Sequence, residues 1–99
     1  MLNIDKQQDG SVMTITLSGR LDTTTAPKLD DDVRDLSNIT SLSFDIKDLE
    51  YMSSAGLRVL LMSQKKIRDH GEMFVKYPQD SVMEIFEVTG FTDILTIVR

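Results

Sequence analysis

Two adjacent serines, Ser53-Ser54, carry the strongest chemical possibility in this chain. They stand between an alternating segment, Leu42, Phe44 and Ile46, and a run of helical spacing that begins near Leu57. A serine at such a junction can cap the helix, because its oxygen accepts one of the unpaired first-turn N–H groups. It can also serve as a nucleophile, or accept a phosphoryl group. Nucleophilic use needs a base. The only histidine, His70, lies sixteen residues beyond Ser54, which is roughly 24 Å along a helix axis. The Gly-x-Ser-x-Gly elbow is also absent. A phosphoryl group at this place would meet free N–H groups and the positive end of the helix dipole. It would leave the helix intact and add about -1.5 to -2 charges to the local surface. If that surface faces a partner, an uncompensated buried charge costs about 2–5 kcal/mol, or ~30-fold to several thousand-fold in affinity.

A second candidate is Gly19-Arg20-Leu21-Asp22, followed by Thr23-Thr24-Thr25. By itself it reads as a turn in which Asp22 helps to cap the next helix. If both helices follow parallel strands, Asp22 and Ser54 share one sheet edge, where open α/β sheets place their ligands. Thr23 and Thr24 would flank them. Met52 is expected to be exposed beside the serines, as part of a pliable interface. Asp30-Asp31-Asp32 lacks the alternation and glycine of a calcium loop and reads as a solvated helix face. Lys65, Lys66 and Arg68 read as ordinary helix surface.

The elements that must position these residues follow from periodicity. Leu2 and Ile4 alternate with polar residues, as do Met13, Ile15 and Leu17. Asp9-Gly10 between them is a strong hairpin signal. Ala26, Leu29, Val33 and Leu36 form one helical stripe, entered through Pro27 in the first turn and closed by Ser37-Asn38. Leu42, Phe44 and Ile46 predict a third strand, with residues 47–52 as a loop or irregular extension. Leu57, Leu60, Leu61 and Ile67 predict a helix to about Asp69, with Gly71 just past its end. Met73, Phe74 and Val75 predict a fourth strand. Ser81 and Glu84 have the spacing of a capping box, and Val82, Ile85 and Phe86 supply that helix's buried face. Ile94, Leu95, Ile97 and Val98 suit a short terminal helix or strand. The order β-β-α-β-α-β-α then predicts a single α/β domain over residues 1–99. Its mixed open sheet of about four to five strands starts with an antiparallel hairpin. Right-handed crossovers place the helices mainly on one face.

Composition narrows the function further. The chain has 99 residues and a net charge of -5, so it is a poor ligand for nucleic-acid phosphates or an anionic membrane. It has no cysteine and one histidine, which removes thiolate chemistry and His-rich metal sites. No apolar run approaches the ~20 residues of a membrane span, and Met1-Leu2-Asn3-Ile4-Asp5 has no signal-peptide pattern. The expectation is a cytoplasmic monomer. There is no Gly-rich phosphate loop, so no cofactor is expected and nucleotide chemistry would belong to a partner.

Taken together, three blocks resemble the STAS domain, and more narrowly the bacterial anti-sigma factor antagonists. They are residues 44–61 around Met52-Ser53-Ser54-Ala55-Gly56-Leu57-Arg58, the stretch Leu17–Asp22, and the stretch Val82–Phe91. The resemblance implies binding to an anti-sigma factor that is often a serine kinase with its own ATP. It also implies inactivation by phosphorylation of a serine at the start of the signature helix, and resetting by a serine phosphatase. Counting back from Gly56, that acceptor maps to Ser54. Ser53 stands where the family usually has Asp, which offers a neighbouring acceptor and removes a charge. The implied partner surface comprises Asp22, Thr23, Thr24, Met52, Ser53, Ser54, Ala55, Gly56 and Arg58, with Gly56 letting the partner approach. STAS domains also occur as adaptor subunits on transporter ATPases, a reading in which Ser54 is only a cap and interface residue. The implied role is a binding module and not an enzyme.

Overall fold

The computed structural model describes residues 1–99. A five-stranded sheet runs in chain order, β1 (Leu2–Asp9), β2 (Val12–Leu21), β3 (Ser41–Met52), β4 (Glu72–Lys76) and β5 (Ile97–Val98). Only the β1–β2 pair is antiparallel; β2–β3, β3–β4 and β4–β5 are parallel. The β1–β2 loop is Gly10-Ser11, since Asp9 pairs with Val12. Gly10 takes φ +61, the positive value a tight hairpin needs at its first central residue.

Three helices link the parallel strands: α1 (Ala26–Asp32), α2 (Ser54–Ile67) and α3 (Asp80–Thr89). A sheet whose spatial order matches its chain order, joined by right-handed crossovers, receives every helix on one face. The burial agrees. Met13 and Ile15 of β2, Leu42 and Phe44 of β3, and Met73 and Val75 of β4 lie in register and are all buried. They share one core cluster with Leu29 of α1, Leu60 of α2 and Phe86 of α3. The other face carries the alternate residues Thr14, Thr16, Asp45 and Lys76, all partly exposed. Alternation, uncommon in a parallel sheet, thus marks a sheet covered on one side. No helix is long and apolar enough to cross a membrane.

Four expectations need correction. The first helix stops at Asp32 although its stripe continues into buried Val33 and Leu36. Three aspartates crowd its negative end with no basic residue in the last turn. Beyond it, Asp35 Oδ1 accepts the Ser37 N–H at 3.0 Å and hydroxyl at 2.7 Å, a local turn that competes with helix. Residues 47–52 are strand and not loop. Between Thr16 and Ser18, and again between Gly19 and Arg20, β3 supplies one residue more than β2. Each bulge shifts the inward phase, so the buried positions run Leu42, Phe44, Ile46, then Leu49, then Met52. The capping box does not form: α3 starts at Asp80, and Ser81 Oγ approaches the Glu50 carbonyl at 3.4 Å. Gly71 is not a left-handed cap; a Cβ there would sit 2.6 Å from the Thr40 carbonyl oxygen, so it serves close packing.

Candidate functional site

Parallel pairing brings the C-terminal ends of β2 and β3 to one edge of the sheet. The Ser53 N–H donates to the Leu21 carbonyl at 2.9 Å, which ties the two strand ends together. The Asp22–Thr25 turn leaves one strand end and α2 leaves the other, so the two are held side by side. Asp22, Thr23 and Thr24 do share the edge with Ser53 and Ser54, as their order after parallel strands requires.

Asp22 organises the turn. Its Oδ1 accepts the Thr24 N–H at 3.0 Å, the Thr24 hydroxyl at 2.8 Å and the Thr25 N–H at 3.2 Å. The Thr25 hydroxyl accepts the Asp22 N–H at 2.9 Å and lies 3.0 Å from the Arg20 carbonyl. Ala26 N–H donates to the Asp22 carbonyl at 2.8 Å, so the turn runs directly into α1. The Thr24 hydroxyl lowers the Asp22 pKa most; desolvation opposes it, and the Thr24 N–H, the Thr25 hydroxyl and the Thr25 N–H lower it further. A depressed carboxylate pKa contributes stability above the unfolded value, about 3.9, and loses it as pH falls through the folded value. We expect the stability difference between wild type and Asp22→Asn to be flat above about pH 5 and to change only in acid. Thermal melts of both proteins from pH 7 to 3 check this; a gap with no pH dependence would contradict it.

The start of α2 separates the two serines. Ser53 is extended, with φ -90° and ψ 176°, and its carbonyl accepts the Leu57 N–H at 3.0 Å. It is the N-cap by backbone position, but no side chain bonds the end of the helix. The Ser53 hydroxyl is buried without a partner. Ser54 is the first helical residue and is exposed. There is no acidic residue in the first turn. The end of α2 therefore keeps its unpaired N–H groups and its positive dipole, with one accessible hydroxyl beside them. Of the two serines, Ser54 alone offers its oxygen to solvent.

Two residues assigned to the partner surface face the other way. Met52 is 1% exposed, because the second bulge of β3 turns it into the core. Gly56 is buried, and a Cβ on it would lie 2.7 Å from Leu21 Cγ and 2.9 Å from Met52 Cγ. Its missing side chain lets α2 settle on the strand ends and is not presented to a partner. Ala55 is half-buried and Arg58 exposed, and both line an open groove of about 460 Å³ between α1 and α2. Thr23, Pro27 and Asp30 form the opposite wall.

The structure adds Met62, and a pairing of Arg20 with Tyr51, that motif and periodicity did not show. Met62, 41% exposed, lines the same groove and has the exposure expected of Met52. The signal was spacing: Ser54, Arg58 and Met62 recur every four residues, along the outward side of the helix. Arg20 and Tyr51 are cross-strand partners at the same sheet edge, with the guanidinium carbon 4.3 Å from the ring centroid. That pairing depends on the bulge register, so local sequence does not reveal it. His70 is at the far end of α2, with Nε2 2.9 Å from the Leu36 carbonyl, and plays no part at Ser54. No group of three His, Cys, Asp or Glu side chains is placed to hold a metal ion.

The family model of the STAS domain matches residues 3–99. An anti-sigma-B factor antagonist of Listeria monocytogenes is 30% identical over 95 residues, covering 93% of this chain and 83% of its own. One from Bacillus subtilis is 26% identical over 98 residues, covering 97% and 90%. Among solved structures, an anti-sigma factor antagonist from Mycobacterium paratuberculosis shares the fold with a TM-score of 0.89 at 19% identity, over 99% of this chain and 86% of that one. The antagonist SpoIIAA in its unphosphorylated form gives a TM-score of 0.85 at 16% identity, over 98% and 89%. Bacillus SpoIIAA in its phosphorylated form gives 0.77 at 15%, over 98% and 92%. Fold, strand-end site and a family match across nearly the whole length agree: the chain belongs to the STAS domain family.

Proposed function

We propose that this chain is an anti-sigma factor antagonist. It binds an anti-sigma factor that is also a serine kinase, and so releases a sigma factor. Phosphorylation of Ser54 switches it off, and a serine phosphatase restores it. The observation that carries this reading is the pair of serines at the start of α2. The Ser54 hydroxyl is exposed at an uncapped helix end with no acidic side chain in its first turn, while the Ser53 hydroxyl is buried. The relatives' names and the existence of a fold neighbour in both phosphorylated and unphosphorylated forms support it.

In this mechanism the partner holds ATP. The Ser54 oxygen attacks the γ-phosphorus, the bond to the β-bridging oxygen breaks and ADP leaves, while the hydroxyl proton passes to a base of the partner. The chain itself supplies the accessible oxygen, a rigid helix start and the Asp22 turn beside it. Phosphate is tolerated by the fold because it meets the positive end of α2. The cost falls on the interface, where the added charge meets no compensating group of the partner protein.

The test is a pull-down from the native cells with three baits: wild type, Ser54→Ala and Ser54→Asp. An ATP-binding kinase held by wild type and the Ala form, and lost from the Asp form, is the expected result. A transporter ATPase held equally by all three baits would overturn the switch and make the chain an adaptor.

A further inference from the structure

Arg58 lies one helical turn beyond Ser54 on the same outward line of α2 and is exposed. Two other cations near this surface are engaged. Lys66 Nζ donates to the Val33 carbonyl at 3.0 Å, and Arg20 stacks on Tyr51. The chain's ion pairs join Lys6 to Asp32, Arg34 to Asp31 and Arg99 to Asp80. Arg58 has no carboxylate partner, although Asp30 of α1 lines the same groove. Two properties of helices then act together. Residues four apart are neighbours, and an anion placed N-terminal to a cation is the favourable order. Long side chains on a helix also lean toward its N-terminus, so the patch covered by Arg58 lies over the turn that holds Ser54.

We infer that Arg58 reads the modification state of Ser54. In the unmodified chain its guanidinium is free at the α1–α2 groove to meet a carboxylate of the partner. Once Ser54 carries phosphate, the guanidinium turns back one turn and makes charge-assisted hydrogen bonds to it. Modification then acts twice on the interface, adding negative charge and withdrawing the positive charge that the partner uses. This rests on the reading of Ser54 as the acceptor. It does not require the kinase to be known.

The experiment installs phosphoserine at position 54 during synthesis and follows its phosphorus resonance against pH, in the Arg58 protein and in Arg58→Gln and Arg58→Lys. The charged groups that line the groove are Arg58 and Lys66 of α2 and Asp30 of α1, with Asp22 in the turn at the same sheet edge as Ser54, and only Arg58 changes. A guanidinium held on the phosphate favours the dianion. The second ionisation of phosphoserine, ordinarily near pH ~6, should rise by about 0.2–0.4 pH units in Arg58→Gln. Arg58→Lys should recover part of the shift, since it keeps the charge and loses the planar fork. Equal midpoints in all three proteins would overturn the inference. Circular dichroism confirms that the variants fold, which exposure of Arg58 favours. With the partner captured in the pull-down, phosphate at position 54 should weaken binding by a larger factor in the Arg58 protein than in Arg58→Gln. A phosphate midpoint that moves while affinity ignores the phosphate would overturn the switch, and would leave the Arg58 contact standing. Affinity that falls equally in both backgrounds would overturn the withdrawal of Arg58 and leave the switch standing.

Discussion

Ser54→Asp is expected to weaken partner binding by ~30-fold to several thousand-fold, the range set by about 2–5 kcal/mol for an uncompensated buried charge. The same substitution should leave the melting temperature equal or slightly higher. Ser54 is exposed at the first position of α2, with no acidic residue in its first turn. A carboxylate there interacts favourably with the helix dipole by about 0.3–1 kcal/mol. Stability and affinity should therefore move in opposite directions, which general damage to the fold does not produce. Ser54→Ala loses no capping bond, because no side chain caps this helix, and should retain its partner. Calorimetry on the captured partner, with melts on the three chains, measures both quantities. Asp affinity equal to that of Ala would contradict the switch.

The second large effect concerns the seat of α2. Leu21 is fully buried at the end of β2, and Gly56 presses on it from the first turn of α2. Leu21→Ala should cost about 2–5 kcal/mol, through lost burial plus the cavity it leaves. Gly56→Ala gains up to ~1 kcal/mol in helix propensity. It also drives a methyl to 2.7–2.9 Å from Leu21 and Met52, and overpacking costs about 1–3 kcal/mol. In the double variant the new methyl has the vacated Leu21 space to enter. The two changes should therefore be non-additive, with the pair at least ~1 kcal/mol more stable than the sum of the singles. Urea unfolding of the four proteins gives this coupling directly. Strict additivity would mean that Gly56 and Leu21 do not share that space, and that α2 is seated by other contacts.

Much of this architecture is legible in the residues because each signal is local. The hairpin follows from a glycine turn between alternating strands, and the one-sided sheet follows from alternation combined with right-handed crossovers. The Ser53-Ser54 pair is legible as well, since serines before a helical stripe are a local pattern, and only the family resemblance picks Ser54 from the pair. What escapes is register. The bulges of β3 come from pairing with β2, and they alone decide that Leu49 and Met52 point inward and that Tyr51 meets Arg20. Met52 and Gly56 read as surface from their place beside the serines, yet Met52 is turned inward by the bulge and Gly56 packs against Leu21 of β2 and Met52 of β3. The extent of α1 escapes for a different reason. An apolar stripe shows which residues are buried, and Val33 and Leu36 are buried, but it does not show that they reach the core from a turn. The division between Ser53 and Ser54 likewise needs three dimensions, because it is a difference in burial, one hydroxyl being enclosed and the next residue being open.

That division makes phosphosite mapping the most direct measurement. The protein is isolated from its native cells with phosphatases inhibited and sequenced by fragmentation across residues 47–65. Phosphate on Ser54 in the fraction that fails to bind the kinase, with Ser53 unmodified, is the predicted result. Phosphate on Ser53, or an unmodified chain under every condition in which the partner is released, would contradict the switch at Ser54.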